Sequence, residues 1–311
     1  MTYLPVADLG IVACYFNPCG FRVRAENFAR FVAPIRRGGL EFVVVEAAFP
    51  GEAFTLPPGE TLQIRARDVM WQKEKLLDVA VAALPARCTK VAWLDADVLF
   101  ERADWAVEAS RTLETHAVIQ PWEEAVRLPR GAFAAGTEGE DVFRGFAALH
   151  ASDRELHLRG KFEHHGHTGF AWAARREVVT RHGFFAACIA GSGDHMMAHG
   201  FLGDSESPCI ARIVGKRGPH VAHFRDWTCR VDDLVQGQLG YVPGRLLHLW
   251  HGTIENRRYV QRNKELLELG FDPQADVRVG ETGCWEWASD KPELHAWARR
   301  YFAERREDED A

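Results

Sequence analysis

The chain has 311 residues, of which 47% are apolar and 26% are charged, and its formal net charge is −6. These proportions are those of a globular protein, and they exclude a disordered, collagen-like or coiled-coil chain. The mild acidic excess gives no electrostatic basis for wrapping duplex nucleic acid, so we expect no nucleic-acid partner.

Several features of the sequence indicate a cellular compartment. The chain contains no run of about 18 apolar residues, which predicts no integral membrane segment. Its N-terminus lacks the basic and apolar regions of a secretory signal, and its seven cysteines match no zinc or redox spacing. We therefore expect a cytoplasmic protein with reduced thiols. The acid-rich segment 304–310 predicts a solvated, frayed tail.

Strands and helices alternate along the first hundred residues. Apolar runs predict strands over 9–15, 41–46 and 90–94, and helical spacing predicts helices over 23–33, ending before Pro34, and over 69–84. Strands separated by helices of this length predict parallel βαβ units. The predicted fold class is therefore α/β with a mostly parallel sheet.

The rest of the chain is less regular. The predicted strands are 168–174 and 245–250, and the predicted helices are 175–183, 195–202 and 255–269. The simplest organisation is one α/β domain over 1–254, followed by a helical C-terminal extension with an acidic tail over 255–311.

Two carboxylates directly follow the third predicted strand. Ligands of open α/β sheets bind at the carboxyl ends of the strands, which is where Asp95 and Asp97 lie. Residues two apart in an extended segment point the same way, so both carboxylates can face one spot. Paired oxygen donors suit Mg²⁺ or Mn²⁺, although the aspartates could also simply cap a turn and face solvent.

The sequence around these aspartates resembles a known family. Asp95-Ala96-Asp97 between apolar segments resembles the DxD motif of GT-A-fold, nucleotide-sugar-dependent glycosyltransferases, including family-2-like members. Trp71–Asp78 resembles a helix-opening segment of galactosyltransferase-like members. The resemblance covers about 9–254 and implies a Rossmann-like sheet flanked by helices. It also implies that Asp95 and Lys73 lie near the nucleotide-sugar.

A late histidine pair completes the implied metal site. Members of this family commonly place a histidine after a late strand, where it joins the DxD acids on the metal, and the segment Leu246–Gly252 resembles that region. His248 or His251 could serve, and imidazole nitrogen favours Mn²⁺ over Mg²⁺. Three residues apart on a strand, the two would face opposite sides unless the strand ends between them. We favour His248, because the apolar pair before it marks the strand.

The segment Gly191–His195 resembles the turn that carries the general base in many inverting members. By this resemblance Asp194 would accept the proton of the acceptor hydroxyl. The acidic residue that often precedes this aspartate is absent, which leaves the inverting outcome open. The alternative is that Asp194 is an ordinary N-cap of the predicted helix 195–202.

Four further residues occupy positions where the family builds its nucleotide pocket. Tyr15 and Asn17 follow the first strand, Glu46 ends the second, and Arg65 ends a short apolar run. Each is also a plausible structural residue.

The histidine-rich segment His164–Phe170 suggests zinc when it is taken alone. No cysteine or acid completes a tetrahedral set at finger-like spacing, so we expect a solvated loop. His167 and Thr168 could contact donor or acceptor.

Together these patterns predict a metal-dependent, hexosyltransferase-type glycosyltransferase. It would transfer a sugar from a nucleoside-diphosphate sugar, with UDP as the favoured nucleotide, to a glycan or other hydroxyl acceptor. One alternative is a catalytically silent nucleotide- or glycan-binding protein of the same fold. Another is a nucleotidyltransferase, although Asn17-Pro18 stands where such enzymes carry a glycine-rich loop. A third is a metal-dependent hydrolase that uses the histidine-rich segment.

Overall fold

A computed structural model describes residues 1–154 and 165–309. Its strands are β1 (Leu9–Phe16), β2 (Phe42–Ala48), β3 (Leu62–Arg65), β4 (Lys90–Leu94), β5 (Val98–Phe100), β6 (Val118–Gln120), β7 (Glu124–Arg127), β8 (Asp141–Arg144), β9 (Ala171–Arg175), β10 (Leu239–Tyr241), β11 (Arg245–His248), β12 (Val277–Val279) and β13 (Trp285–Trp287). The helices of the described residues are α1 (Arg22–Arg37), α2 (Lys73–Ala83), α3 (Trp105–Thr112), α4 (Phe146–Ser152), α5 (Arg176–His182), α6 (Gly193–Gly200), α7 (Pro208–Val214), α8 (Pro219–Val235), α9 (Tyr259–Glu268) and α10 (Pro292–Glu304). None of these helices combines the length and the apolar character that crossing a membrane requires.

The central sheet has seven strands in the order β10-β6-β9-β4-β1-β2-β3. Strands β1 to β4 pair in parallel, β10 pairs in parallel with β6, and β9 runs antiparallel between β4 and β6. The central strands β1 and β4 are buried on both faces, as in parallel sheets covered by helices. The predicted α/β class with a mostly parallel central sheet is confirmed.

A second sheet, in the order β5-β11-β7-β8, adjoins the first. Residues 95–97 connect the last residue of β4 to the first residue of β5, and they therefore link the two sheets. In the second sheet His248 is paired with Val98, the residue that follows Asp97. The strand register thus brings a late segment of the chain next to the aspartates.

Helix α1 runs one turn further than the sequence predicts. Pro34 was expected to end it, but the helix continues to Arg37. A proline at this position removes the hydrogen bond from its own amide to the carbonyl four residues earlier. Pro34 and Ile35 are buried on the same helix as Phe31 and Val32, and this burial offsets the lost hydrogen bond. The expected end at Pro34 was therefore wrong.

The residues after 254 share the largest hydrophobic core with the central sheet. Phe302 of α10 packs edge-on against Phe16 of β1, with ring centroids 6.1 Å apart, and stacks on Trp71 at 6.3 Å. The predicted division at residue 254 does not separate two cores, because apolar residues of α9 and α10 belong to the same buried cluster as residues of α2 and the central sheet.

The acidic tail is held in place as far as the structure describes it. Asp308 accepts hydrogen bonds from the backbone amides of Arg22 and Val23 at 2.9 and 2.8 Å, in the first turn of α1. Glu307 is 1% exposed and forms ion pairs with Arg24 and Arg305. The predicted frayed tail is wrong over 304–309, because these carboxylates find cationic and amide partners in the folded chain.

Candidate functional site

A cleft of about 950 Å³, here called the large cleft, opens at the carboxyl ends of β1 and β4. Its lining includes Tyr15, Lys73, both DxD aspartates, Asp194 and the two late histidines, among other residues. The position agrees with the general rule that open α/β sheets bind ligands beyond the carboxyl ends of their strands. Its volume is that of a site for a small organic ligand.

Three side chains converge on one point in this cleft. Asp97 Oδ2 lies 3.0 Å from His251 Nε2, and Asp97 Oδ1 lies 3.7 Å from His248 Nε2. The two Nε2 atoms are 3.2 Å apart. All three ligand atoms lie within 4.8 Å of one another, which is compact enough to surround a single cation.

Both histidines reach Asp97 because β11 ends at His248. Beyond that residue the chain leaves the strand, so the alternation that would send His251 to the opposite side no longer applies. The strand thus ends between the two histidines, which is the condition under which both could face the aspartate. His248 and His251 both face Asp97, and both are buried.

The donor set fits a divalent cation. Asp97 Oδ1 is buried and accepts no hydrogen bond from any described residue. Burial alone would raise the pKa of Asp97. The neighbouring His251 and His248 have the larger opposite effect, so the pKa of Asp97 lies well below its usual range. Burial lowers the pKa of His248, which keeps this imidazole neutral and able to coordinate. One carboxylate and two imidazoles are a mixed oxygen and nitrogen donor set of the kind that divalent transition-metal ions accept.

Asp95 lies in the same cleft but outside this compact group. Residues 96 and 97 form a turn, so the two aspartates are not on one extended face as expected. Asp95 Oδ1 instead pairs with Lys73 Nζ at 2.5 Å, and Oδ2 accepts a hydrogen bond from the Phe170 amide at 3.2 Å. Burial raises the pKa of Asp95 to about 6, with Lys73 opposing and Asp194 adding to the shift.

Lys73 bridges two carboxylates. Its ammonium lies 2.7 Å from Asp194 Oδ2 as well as 2.5 Å from Asp95 Oδ1. Burial would lower the pKa of Lys73, but Asp194 and Asp95 raise it well above the ordinary value, so the side chain stays charged. Lys73 is therefore not on a solvated helix face. It opens α2 inside the cleft.

Asp194 lies in the first turn of α6 and not at its N-cap. The helix begins at Gly193, two residues before the predicted start, and Ser192 is the N-cap with a φ of 83°. Asp194 Oδ1 is buried and has no hydrogen-bond partner among the described residues. One oxygen of this carboxylate thus holds Lys73, while the other is available to a ligand.

The remaining predicted nucleotide contacts are not all in the large cleft. Asn17 and Glu46 line a neighbouring cleft of about 220 Å³ that shares Tyr15 with the large one. Glu46 there accepts hydrogen bonds from the Leu56 amide and from Gln63 Nε2, which is a structural role.

Arg65 lies outside both clefts, whereas part of the histidine-rich segment lies in the large one. Arg65 is exposed and lies over the Phe54 ring at 4.1 Å, in neither cleft, because β3 is the edge strand of the sheet. His167 stacks on Phe170 at 4.0 Å, and Thr168 lies beside it in the large cleft. His164 lies outside the described residues.

A set of arginines lines the large cleft and was missed by the sequence analysis. They are Arg24, Arg127, Arg144, Arg212, Arg257, Arg262 and Arg305. Arg257 Nη2 lies 2.7 Å from His251 Nε2, next to the candidate metal position. No local pattern distinguishes these arginines from surface ones, because they come from α1, β7, β8, α7, α9 and the segments near residues 257 and 305, which only the tertiary structure brings together.

No protein-family model matches the chain, and no curated protein sequence matches it. Solved structures are similar at low identity. The catalytic domain of Drosophila β1,4-galactosyltransferase 7 with xylobiose is 14% identical, covers 62% of this chain and has a TM-score of 0.33. This chain spans 60% of that galactosyltransferase chain, which is less than two thirds of its length.

Another similar structure is glucosyl-3-phosphoglycerate synthase from Mycobacterium tuberculosis with Mg²⁺ and UDP. It is 13% identical, with 88% of this chain and 83% of that chain covered and a TM-score of 0.40. The same synthase with Mn²⁺, UDP-glucose and phosphoglyceric acid gives 13% identity, coverage of 90% and 86%, and a TM-score of 0.38. With TM-scores below 0.5, this similarity supports no conclusion about activity.

Proposed function

We propose that the chain is a metal-dependent glycosyltransferase that transfers a sugar from a nucleoside-diphosphate sugar to an acceptor hydroxyl. The observation that carries this proposal is the convergence of Asp97, His248 and His251 within 4.8 Å at a cleft lined by arginines. UDP-sugars are the donors to test first, because Trp71–Asp78 resembles galactosyltransferase-like proteins.

A diphosphate fits the charge of this cleft. When bound, a divalent cation held by Asp97, His248 and His251 would act as a Lewis acid toward the charge that grows on the leaving diphosphate. Arg257 lies beside His251 and can donate to phosphate oxygens in the planar, paired geometry that guanidinium groups favour. Metal ligands and guanidinium donors therefore meet where a diphosphate would lie.

Asp194 is the proposed general base. Its free Oδ1 would accept the proton of the acceptor hydroxyl, while the hydroxyl oxygen forms the new bond to the anomeric carbon. The bond from that carbon to the diphosphate breaks, and the nucleoside diphosphate leaves with the electron pair. Attack opposite the leaving group would invert the anomeric configuration. Lys73 keeps the second oxygen of Asp194 fixed.

The test is a thermal-melting series with UDP, with Mn²⁺ and with both. A ligand at about 100 times its dissociation constant stabilises the folded state by about 2.7 kcal/mol, which gives a visible rise in Tm. We expect UDP to raise Tm only when Mn²⁺ is present, and Asp97→Asn to remove the effect. Asp104→Asn, which changes a carboxylate paired with Arg102 outside the cleft, is the matched control.

Turnover separates an enzyme from a silent binding protein. Asp194→Asn should keep the UDP-dependent rise in Tm and lose about 10²–10⁴-fold in sugar transfer, which is the usual worth of a general base. The rate of sugar transfer is measured by mass spectrometry of the products, with a panel of UDP-sugars and acceptors. Binding of UDP and Mn²⁺ without transfer or donor hydrolysis would favour the silent-protein alternative. No shift with either ligand would refute the donor site.

A further inference from the structure

A second group of side chains able to ligate a metal lies at the wall of the large cleft, which His165 and His195 also line. It consists of His165 from the loop before β9, His195 and His199 from α6, and Cys209 from α7. None of the four is more than 5% exposed. Three separate segments of the chain therefore place their imidazole or thiol groups at one buried point.

The spacing of the four ligand atoms is one that a single tetrahedral metal ion can span. His195 and His199 are four residues apart on α6, which puts them on one face of the helix. The four ligand atoms lie within 4.8 Å of one another, and His199 Nε2 is 3.4 Å from Cys209 Sγ. Zinc bonds of about 2.0–2.1 Å to nitrogen and about 2.3 Å to sulfur, at tetrahedral angles, place such atoms about 3.5 Å apart.

Hydrogen bonds around the group orient two of its imidazoles. His199 Nδ1 lies 2.7 Å from Asp204 Oδ2, and a carboxylate can only accept, so Nδ1 carries the proton and Nε2 presents its lone pair to Cys209. His165 Nδ1 donates in the same way to the Gly166 carbonyl at 3.0 Å, which leaves its Nε2 as the acceptor nitrogen. Carboxylate and carbonyl partners on the far nitrogen are typical of metal-bound histidines.

Ring packing by itself does not account for this arrangement. The rings of His165, His195 and His199 lie with centroids 4.7–5.2 Å apart, as aromatic neighbours do. Apolar aromatic residues would fill that space without the cost of burying imidazole nitrogens and a thiol. The convergence of nitrogen and sulfur atoms, and not only of ring faces, indicates a cation.

We propose that His165, His195, His199 and Cys209 bind one zinc ion. Histidine nitrogen and cysteine sulfur are both zinc ligands in tetrahedral sites, and four protein ligands leave no position for water or substrate. The ion would therefore be structural. It would tie the loop before β9 to α6 and α7, and it would fix the helix turn that carries Asp194. This site shares no ligand with Asp97, His248 and His251.

The experiment uses the full chain, purified without a polyhistidine tag. The zinc content is measured by inductively coupled plasma mass spectrometry, and we expect about one ion per chain. The protein is then stripped with a chelator and loaded with Co²⁺. A tetrahedral site with a thiolate ligand gives intense visible bands and a near-ultraviolet sulfur-to-cobalt band. This measurement needs no variant, so it decides the proposal even if a ligand substitution prevents folding.

Variants then assign the ligands. Cys209→Ser should lose the sulfur-to-cobalt band and most of the bound zinc, whereas Cys88→Ser, which alters another buried cysteine outside the group, should keep both. Asp204→Asn should weaken zinc binding about 10- to 100-fold through His199. Asp97→Asn should retain the zinc, which separates this site from the donor site.

Three results would overturn the proposal. The first is a chain that is purified without zinc and shows no tetrahedral cobalt spectrum. The second is a sulfur-to-cobalt band that survives in Cys209→Ser. The third is loss of the zinc in Asp97→Asn, which would assign the ion to the other site.

Discussion

Glu74 offers a sharp test of the electrostatics in α2. It is 1% exposed, and a Cβ placed on Gly193 would lie only 2.1 Å from its Oε1, so the carboxyl sits tightly against the first turn of α6. Burial raises the pKa of Glu74 to about 8, with Lys73 opposing and Asp194 adding to the shift. The perturbation we choose is Glu74→Gln, which keeps the shape of the protonated side chain.

The sign and size of the effect follow from proton binding. Between its ordinary pKa of 4.5 and its folded pKa of about 8, the folded chain holds a proton that the unfolded chain has released. The free energy of unfolding therefore falls as pH rises, by about 1.4 kcal/mol per pH unit for one group. From about pH 5.5 to about pH 7, the wild type should lose about 2 kcal/mol relative to Glu74→Gln.

Urea denaturation followed by tryptophan fluorescence measures this difference at each pH. All other titrating groups are common to both proteins, so they cancel in the subtraction. Glu26→Gln, at an exposed carboxyl of α1, is the matched control and should run parallel to the wild type. Parallel curves for Glu74→Gln as well would show that Glu74 is ionised in the folded protein and would refute the reasoning.

The other predictions concern stability, and urea titration checks each of them. Phe302→Ala should cost about 3–5 kcal/mol, because the ring is buried in the core that α10 shares with the sheet, while the exposed Phe133→Ala should cost little. Gly193→Ala should cost about 1–3 kcal/mol, because its Cβ would overlap Glu74. Glu307→Gln should cost about 3–5 kcal/mol, because it leaves the buried Arg305 and the partly buried Arg24 without their carboxylate partner. The Arg24 and Arg305 charges hold the pKa of Glu307 low against burial, so this stabilisation is present above its ordinary pKa and is lost toward acid. A Glu307→Gln variant as stable as the wild type at neutral pH would contradict the buried ion pairs.

The central elements could be predicted from the sequence because their signals are local. Strand β4 was predicted with its observed bounds, since an uninterrupted apolar run is what a strand buried on both faces requires. The Asp95–Asp97 motif was placed at the end of that strand for the same local reason. The extension of α1 past Pro34 was not predicted, because the sequence does not distinguish a proline in the last turn of a helix from a proline that follows the helix.

The partners of these residues could not be predicted, because they come from distant parts of the chain. His251 joins Asp97 only because β11 pairs with β5 and then ends. Cys209 lies far from His165 in sequence, so no spacing rule links them, and composition alone predicts a solvated loop for the histidine-rich segment. Composition likewise predicts a frayed tail around Glu307, because its partner Arg24 is distant in sequence.

The sequence by itself determined the α/β class, the strand that carries the two aspartates and the kinds of side chain available for metal binding. Those properties depend on periodicity and on residue type, and both can be recognised from short segments of the sequence. Only the tertiary structure decided which of those side chains meet, since strand register and helix docking bring together residues that are far apart along the chain. Both candidate metal sites therefore depend on tertiary structure, because tertiary packing places their ligand atoms within a few ångströms of one another.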